Sequence, residues 1–549
     1  MKKIIISFAI FTAVVFPSAA QNLDPTVEVS RGYQGKLMDV HKPVMEMSVP
    51  DTVQRFDLDF DYSVFDNPYK GSYEFNPYTM DMKPESRKIA PSQFYLNAGA
   101  GYTIHPTLDL LWSPVLKGPF RVDVYGLHRS YIGDYRTPHV GDKTGKAFQN
   151  GYDFYSKAGV DVGYDWDKVG LELGASYYGV AAKDAFSDGS IYNAVDAYVS
   201  LESKGVGRLN FGTDLSYRYG NFGVNDEHLF GVKVDLAHLI RPYNHMMIDL
   251  GLDFGMYQGS LATSFANIWL VPRYVREKGR ASASVGVRVS AVVSASEYFA
   301  KANQYVYPDI RVSYNVIRNA MKMYLNVTGG ESLNTYASLI ERNHHFNLSY
   351  VIPEMAVLGS SIERVRPELG IEGRISSFFS YSLRGGYVLK DHSLMNVLVD
   401  DAAGYRLAFG YGDYQQAYAG AECTLDLSDF RLDAAFRYEH TWDVPQLDEA
   451  YFVMPPEFKA EAVAEYNWRK RIYVGVDCEF ASRANAANTL DKALYLPYYV
   501  DLGASAEYVV NRKFSVWLRG GNLLDMEIQR NPLFAEKGIN FTAGICLTF

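Results

Sequence analysis

The chain has 549 residues, a formal net charge of −10 and 15% aromatic residues, 43 of them Tyr. That length exceeds one ordinary globular core, and the negative balance argues against a nucleic-acid partner, whose phosphates require a basic surface. Cys423, Cys478 and Cys546 stand far apart, so they form neither a disulfide framework nor a metal motif.

Residues 1–20, MKKIIISFAIFTAVVFPSAA, read as an export signal. Lys2 and Lys3 supply the positive start, Ile4 to Phe16 the apolar stretch, and Ser18-Ala19-Ala20 the cleavage site. The apolar part is too short to cross a bilayer as a helix. The mature chain is expected to start near Gln21, and with no Cys there, no lipid anchor is expected.

Residues 21–93 hold Pro25, Pro43, Pro50, Pro68, Pro77, Pro84 and Pro91, which interrupt any regular element. Within them FDLDFDYSVFDNPYKGSYEFNPY mixes acidic and aromatic groups. The expectation is an extended periplasmic segment: either a solvated linker, or a piece that orders against a partner or in a barrel mouth.

From residue 94 to 549 a period of two dominates. In KVGLELGASYY, Val169, Leu171, Leu173, Ala175 and Tyr177 oppose Glu172, Gly174 and Ser176. In MIDLGLDFGM, Ile248, Leu250, Leu252 and Phe254 oppose Asp249, Gly251, Asp253 and Gly255. The closing stretch INFTAGICLTF sets Phe541, Ala543, Ile545, Leu547 and Phe549 against small or polar residues. After the leader no run of about 18 apolar residues occurs, which leaves a closed β-barrel as the way across a membrane. Aromatics such as Tyr177, Tyr217, Tyr466 and Tyr508 recur near stretch ends, where membrane–water girdles belong.

Short polar turns, such as Ser428-Asp429 and Asn467-Trp468-Arg469-Lys470, alternate with long connections near 131–150, 330–362, 390–404, 442–455, 483–496 and 523–537. The asymmetry predicts short turns in the periplasm and long loops outside. The fold class expected is all-β: a transmembrane antiparallel β-barrel of about 22 strands, with 18 or 20 as alternatives. The domain plan is leader 1–20, extended segment 21–93 and outer-membrane barrel 94–549.

Phe541, Ile545, Leu547 and Phe549 resemble the C-terminal signal that outer-membrane proteins present to the barrel-assembly machinery. Asn522-Leu523-Leu524-Asp525, followed by a closing strand that ends in Phe, resembles the C-terminal pattern of TonB-dependent receptors. ESLNTYASLIER at 331–342 resembles Bacteroidota members of that group. The resemblance implies a 22-strand architecture and transport, with outer-membrane lipid, the assembly machinery and a surface lipoprotein or second barrel as partners. It carries a departure: such receptors place a folded plug before the barrel, and residues 21–93 lack a globular pattern. Thr26, Val27, Glu28 and Val29 resemble a TonB box, a segment that pairs with TonB as an added strand.

Inward-facing charges of both signs are expected, among them Glu172, Lys233, Asp235, Asp249, Asp253, Arg288, Arg311, Glu368, Glu372, Arg374, Arg437, Glu461 and Asp477. Pairing across neighbouring strands accounts for such a wall better than a solute track, because neither sign dominates. No local hydrolase motif occurs, and His344-His345 lacks the spaced carboxylates or thiols of a metal site. A non-enzyme without cofactor is therefore expected. Two functions compete: a transporter or channel component whose lumen is occupied by its own segment or a partner, and a non-transporting subunit of a barrel-assembly or surface-export complex.

Overall fold

The computed structural model describes residues 93–549 apart from 103, 145–149, 184–188, 206–207, 260–261, 297–299, 319, 347–357, 402–403, 446–449 and 488–493. The leader, the 21–92 segment and Thr26–Val29 lie outside the described residues.

The alternating stretches become staves of one closed antiparallel barrel. In order they are Phe94–Tyr102, Thr107–Trp112, Phe120–Gly133, Gly151–Asp165, Val169–Ala182, Ser190–Ser203, Leu209–Phe222, Asn225–Arg241, Asn244–Gln258, Thr263–Lys278 and Ala281–Ser296. Then come Ala300–Ile317, Met321–Asn334, Gly359–Arg374, Phe379–Asp401, Gly404–Asp426, Phe430–Trp442, Phe458–Trp468, Ile472–Ala481, Tyr499–Asn511, Phe514–Gly521 and Asn540–Thr548. The last stave pairs with the first, from Tyr95 opposite Thr548 to Tyr102 opposite Phe541, and this closes the ring. Both ends of the barrel sequence therefore lie at one mouth, with the short turns (the turn end). The long connections gather at the other (the loop end).

Apolar side chains point out. Val195, Val285 and Leu369 are 53%, 53% and 55% exposed, as is expected of staves whose outer face meets hydrocarbon rather than a protein core. Phe541, Ile545 and Phe549 lie on that outer face of the last stave, 50%, 40% and 54% exposed. Tyr177, Tyr217, Tyr466 and Tyr508 are exposed near the stave ends.

The inner face explains why the chain is rich in both Tyr and Gly. Tyr125 is paired across the ladder with Gly159, Gly174 with Tyr198, Gly251 with Trp269, Tyr324 with Gly370, Gly386 with Tyr418, and Trp517 with Gly544. Each ring occupies the space that a Cβ on the opposite glycine would need; a Cβ at Gly174 or Gly544 would collide with Tyr198 or Trp517. Trp517 reaches across the closing seam, and its indole N–H donates to Asn97 Oδ1 at 2.5 Å.

The stave Thr107–Trp112 is short, because Pro114 lacks an N–H for the ladder. One expectation is corrected. The long loop expected at 390–404 is instead a tall hairpin, in which Phe379–Asp401 and Gly404–Asp426 run well beyond their neighbours. Its upper part is apolar on both faces. Leu398, Leu407 and Phe409 are buried on one, Met395, Val397 and Ala408 on the other. Ala450–Val453 pairs with Val397–Val399 and with Ala486–Ala487, and Ala484–Ala486 pairs with Leu494–Leu496. Connections distant in sequence thus form one small sheet at the loop end.

Candidate functional site

At the loop end, two connections turn inward and meet. The first follows Asn334. Thr335 caps the short helix Tyr336–Arg342: its hydroxyl accepts the Ser338 N–H, and the Ser338 hydroxyl receives the Thr335 N–H at 2.8 Å. The helix is too short to persist alone. It survives because Tyr336, Ala337, Leu339 and Ile340 are buried against the barrel.

Its start is fixed by Glu227, an inward-facing and fully buried residue of the Asn225–Arg241 stave. The Glu227 carboxylate accepts the N–H of Tyr336 at 3.0 Å, that of Ala337 at 3.3 Å and the hydroxyl of Tyr192 at 2.5 Å. A carboxylate here satisfies free N–H groups of the first turn and complements the positive end of the helix dipole.

Around the helix an apolar cluster crosses the bore. Tyr178, Tyr192, Phe222, Tyr257 and Phe265 come from one arc of the wall; Leu394, Leu398, Leu407 and Phe409 come from the tall hairpin. Phe346, fully buried, joins the two, with ring centroids 5.7 Å from Phe222 and 5.2 Å from Phe409. Burying each of these large side chains contributes on the order of 2 kcal/mol.

The two histidines part company. His344 Nδ1 lies 2.9 Å from Asp153 on the wall and its ring stacks on Tyr155 at 5.7 Å. His345 stacks on Phe534 of the second connection at 5.0 Å, with Tyr135 edge-on at 6.0 Å. Burial alone would lower the His344 pKa, but the hydrogen bond and charge of Asp153 outweigh it and raise the value.

The second inward connection, 522–539, begins at the Asn522–Asp525 motif. Asn522 Oδ1 accepts the Met526 N–H at 3.0 Å while its amide donates to the carbonyls of Met526 and Lys537. One side chain thus ties both limbs of the connection. Beyond it Ile528, Leu533, Phe534 and Ala535 are buried. Arg530 reaches the wall carboxylates Glu479 and Asp501 at 2.8 and 2.9 Å and also pairs with Glu536. Burial would lower the Arg530 pKa; these carboxylates hold it well above its usual value. Lys537 donates to His105 Nε2 at 3.2 Å. Burial first, then the Lys537 charge, lower the His105 pKa to about 4, so the ring is a neutral acceptor. The Asn531 amide donates to the Arg342 carbonyl at 3.4 Å and links the two connections directly.

Below this cap several of the predicted wall charges are paired. Arg121 meets Glu172 at 2.9 Å, Arg288 meets Glu331 at 2.7 Å and Lys322 meets Glu372 at 2.7 Å across staves, while Arg311 meets Asp309 at 3.0 Å along its own stave. Tyr418 donates to Glu368 at 2.8 Å. The sequence reading did not single out Glu227, Asp153, Arg530 or Phe346. Only Thr335 and Ser338, a weak capping pattern, hinted at the helix.

No family model matches the chain, and no curated protein matches it. Solved structures do. The copper transporter OprC is similar with a TM-score of 0.64 at 12% identity, over 83% of this chain and 82% of that one. The FrpB iron transporter from Neisseria meningitidis (F5-1 variant) gives 0.64 at 9% identity, over 83% and 81%. The ferric-catecholate import receptor Fiu from K12 E. coli gives 0.61 at 9% identity, over 83% and 82%. The chain thus shares the barrel fold of these structures, a copper transporter, an iron transporter and an import receptor.

Proposed function

We propose that this chain is an outer-membrane transport or channel component with a TonB-dependent-receptor-like barrel, its loop end facing outward and its turn end and N-terminal segment facing the periplasm. Its bore is blocked at the outer end by its own connections, 335–346 and 522–539. The observation that carries this is the helix Tyr336–Arg342 held between opposite arcs of the wall by Glu227 and the apolar cluster. A barrel of this strand number is too wide for wall side chains alone to fill, so an open form would leak. Within the same reading the leader 1–20 is removed, Phe541, Ile545, Leu547 and Phe549 present the assembly signal, and Thr26–Val29 is the strand offered to TonB.

The test is conductance in planar bilayers. Full-length protein is expected to be nearly silent, and a variant with residues 336–346 replaced by a short Gly-Ser linker to conduct steadily. Equal conductance from both would refute the blockage.

The loop-end sheet built from the tall hairpin and two further connections favours a second reading. A preformed surface of that kind suits a fixed partner, as in a non-transporting subunit of an assembly or export complex. Affinity purification in mild detergent separates the two. Co-purified assembly factors or a surface lipoprotein support the complex; a lone protein with solute-dependent conductance supports the transporter.

A further inference from the structure

The acidic chain has a basic rim. In the ten connections between staves at the turn end, eleven residues are Lys or Arg and two, Asp167 and Asp429, are acidic. The densest part is formed by two neighbouring turns, Arg469-Lys470-Arg471 and Arg512-Lys513, with no acid in either. The staves they cap are paired, Ile472 opposite Tyr508, and the Val509 N–H donates to the Arg471 carbonyl at 2.8 Å.

Three observations point outward from this pair of turns to a ligand. All five cations are exposed, and among the described residues none has a carboxylate partner. Elsewhere at the same end Lys204 pairs with Asp165 at 2.9 Å and Lys322 with Glu372 at 2.7 Å. Secondly, the cations sit on the aromatic girdle. The Arg469 guanidinium lies 5.3 Å from the Trp468 ring and Lys513 Nζ 5.1 Å from the Phe549 ring, while Tyr466 and Tyr508 are exposed beside them. That is the headgroup level of a bilayer. Thirdly, Arg469 and Lys470 have φ of +53° and +56°. A tight hairpin turn of this shape favours Asn-Gly, and the Cβ of Arg or Lys there strains the backbone. Strain kept at an exposed turn marks a position held for what its side chains do.

We propose that these two turns are a docking surface for the phosphate headgroups of anionic phospholipid in the leaflet at the turn end. Each near-surface cation strengthens attachment to an anionic leaflet by about fivefold, the equivalent of about 1 kcal/mol. The inference rests on the proposed orientation, in which that leaflet is the phospholipid one. It is separable from the blocked bore, whose conductance test does not involve these turns.

The experiment uses the full chain in mixed micelles that contain equal phosphatidylglycerol and phosphatidylcholine, with retained lipid counted by native mass spectrometry. Wild type is expected to retain phosphatidylglycerol at least about tenfold over phosphatidylcholine. R469N/K470G should lose most of that preference while its melting temperature holds or rises, because the turn becomes unstrained. R512Q/K513Q should lose it without relief of strain. Equal retention of the two lipids by wild type, or an unchanged preference in both variants, overturns the proposal. So does complete displacement of phosphatidylglycerol by a synthetic peptide of residues 56–78, which would make an acidic segment the occupant.

Discussion

Replacing Glu227 with Ala is expected to release the helix from the bore while leaving the barrel intact. The carboxylate accepts two backbone N–H groups and one phenol, and it is fully buried. Hydrogen bonds to a charged group contribute about 1.5–3 kcal/mol each. Counting about 1.5 kcal/mol for each backbone donor, and letting the Tyr192 hydroxyl find water in the space left, gives a loss of about 3 kcal/mol. That shifts the balance between seated and released helix by roughly 150-fold. Hydrogen exchange should show the Tyr336 and Ala337 amides losing about two orders of magnitude in protection, with stave amides unchanged. Single-channel records should show more frequent openings by a similar factor. Glu227→Gln keeps one acceptor oxygen and should fall between. Unchanged exchange at those amides in a heat-stable E227A barrel would refute the anchoring role.

Arg530→Met should loosen the 522–539 connection, because Glu479, Asp501 and Glu536 lose their shared cation while remaining partly buried. A loss of roughly 1–3 kcal/mol is expected, because Arg530 itself is exposed while Glu479 is buried, read as protease cleavage within 526–537. Gly544→Val should cost several kcal/mol and lower the yield of folded barrel on gels, since the new side chain would collide with Trp517 at the seam. Raising the pH should unfasten His344. Its folded pKa lies above the ordinary value, so its pairing with Asp153 stabilises fully below the unfolded pKa and is lost as pH rises through the folded one. Protection factors at Asn343–Phe346, which correct for the intrinsic rise of amide exchange with pH, should therefore fall as pH rises through the folded pKa, and His344→Gln should make them independent of pH.

The barrel was legible because one rule, outward apolar and inward polar at every second residue, repeats in almost every stave and needs no knowledge of distant partners. Even there the tall hairpin was misread, since an apolar run buried on both faces, such as Val397-Leu398-Val399, loses the alternation that marks a stave. The cap was hardly legible. The connection 330–362 was legible as a long loop, but its fastening depends on pairs remote in sequence: Glu227 with Tyr336, 109 positions apart, and Asp153 with His344, 191 apart. No local pattern encodes such a pairing. The Asn522–Asp525 motif falls between, visible as a resemblance, with its reason evident only once Asn522 is seen holding Met526 and Lys537.

The stacking of His345 on Phe534 has a temporal side. Phe534 lies in the connection between the staves Phe514–Gly521 and Asn540–Thr548, the second of which closes the ring against Phe94–Tyr102. Under the proposed blockage, stopper and seam are therefore completed by the same stretch of chain, and the bore stays open for as long as the ring is unmade.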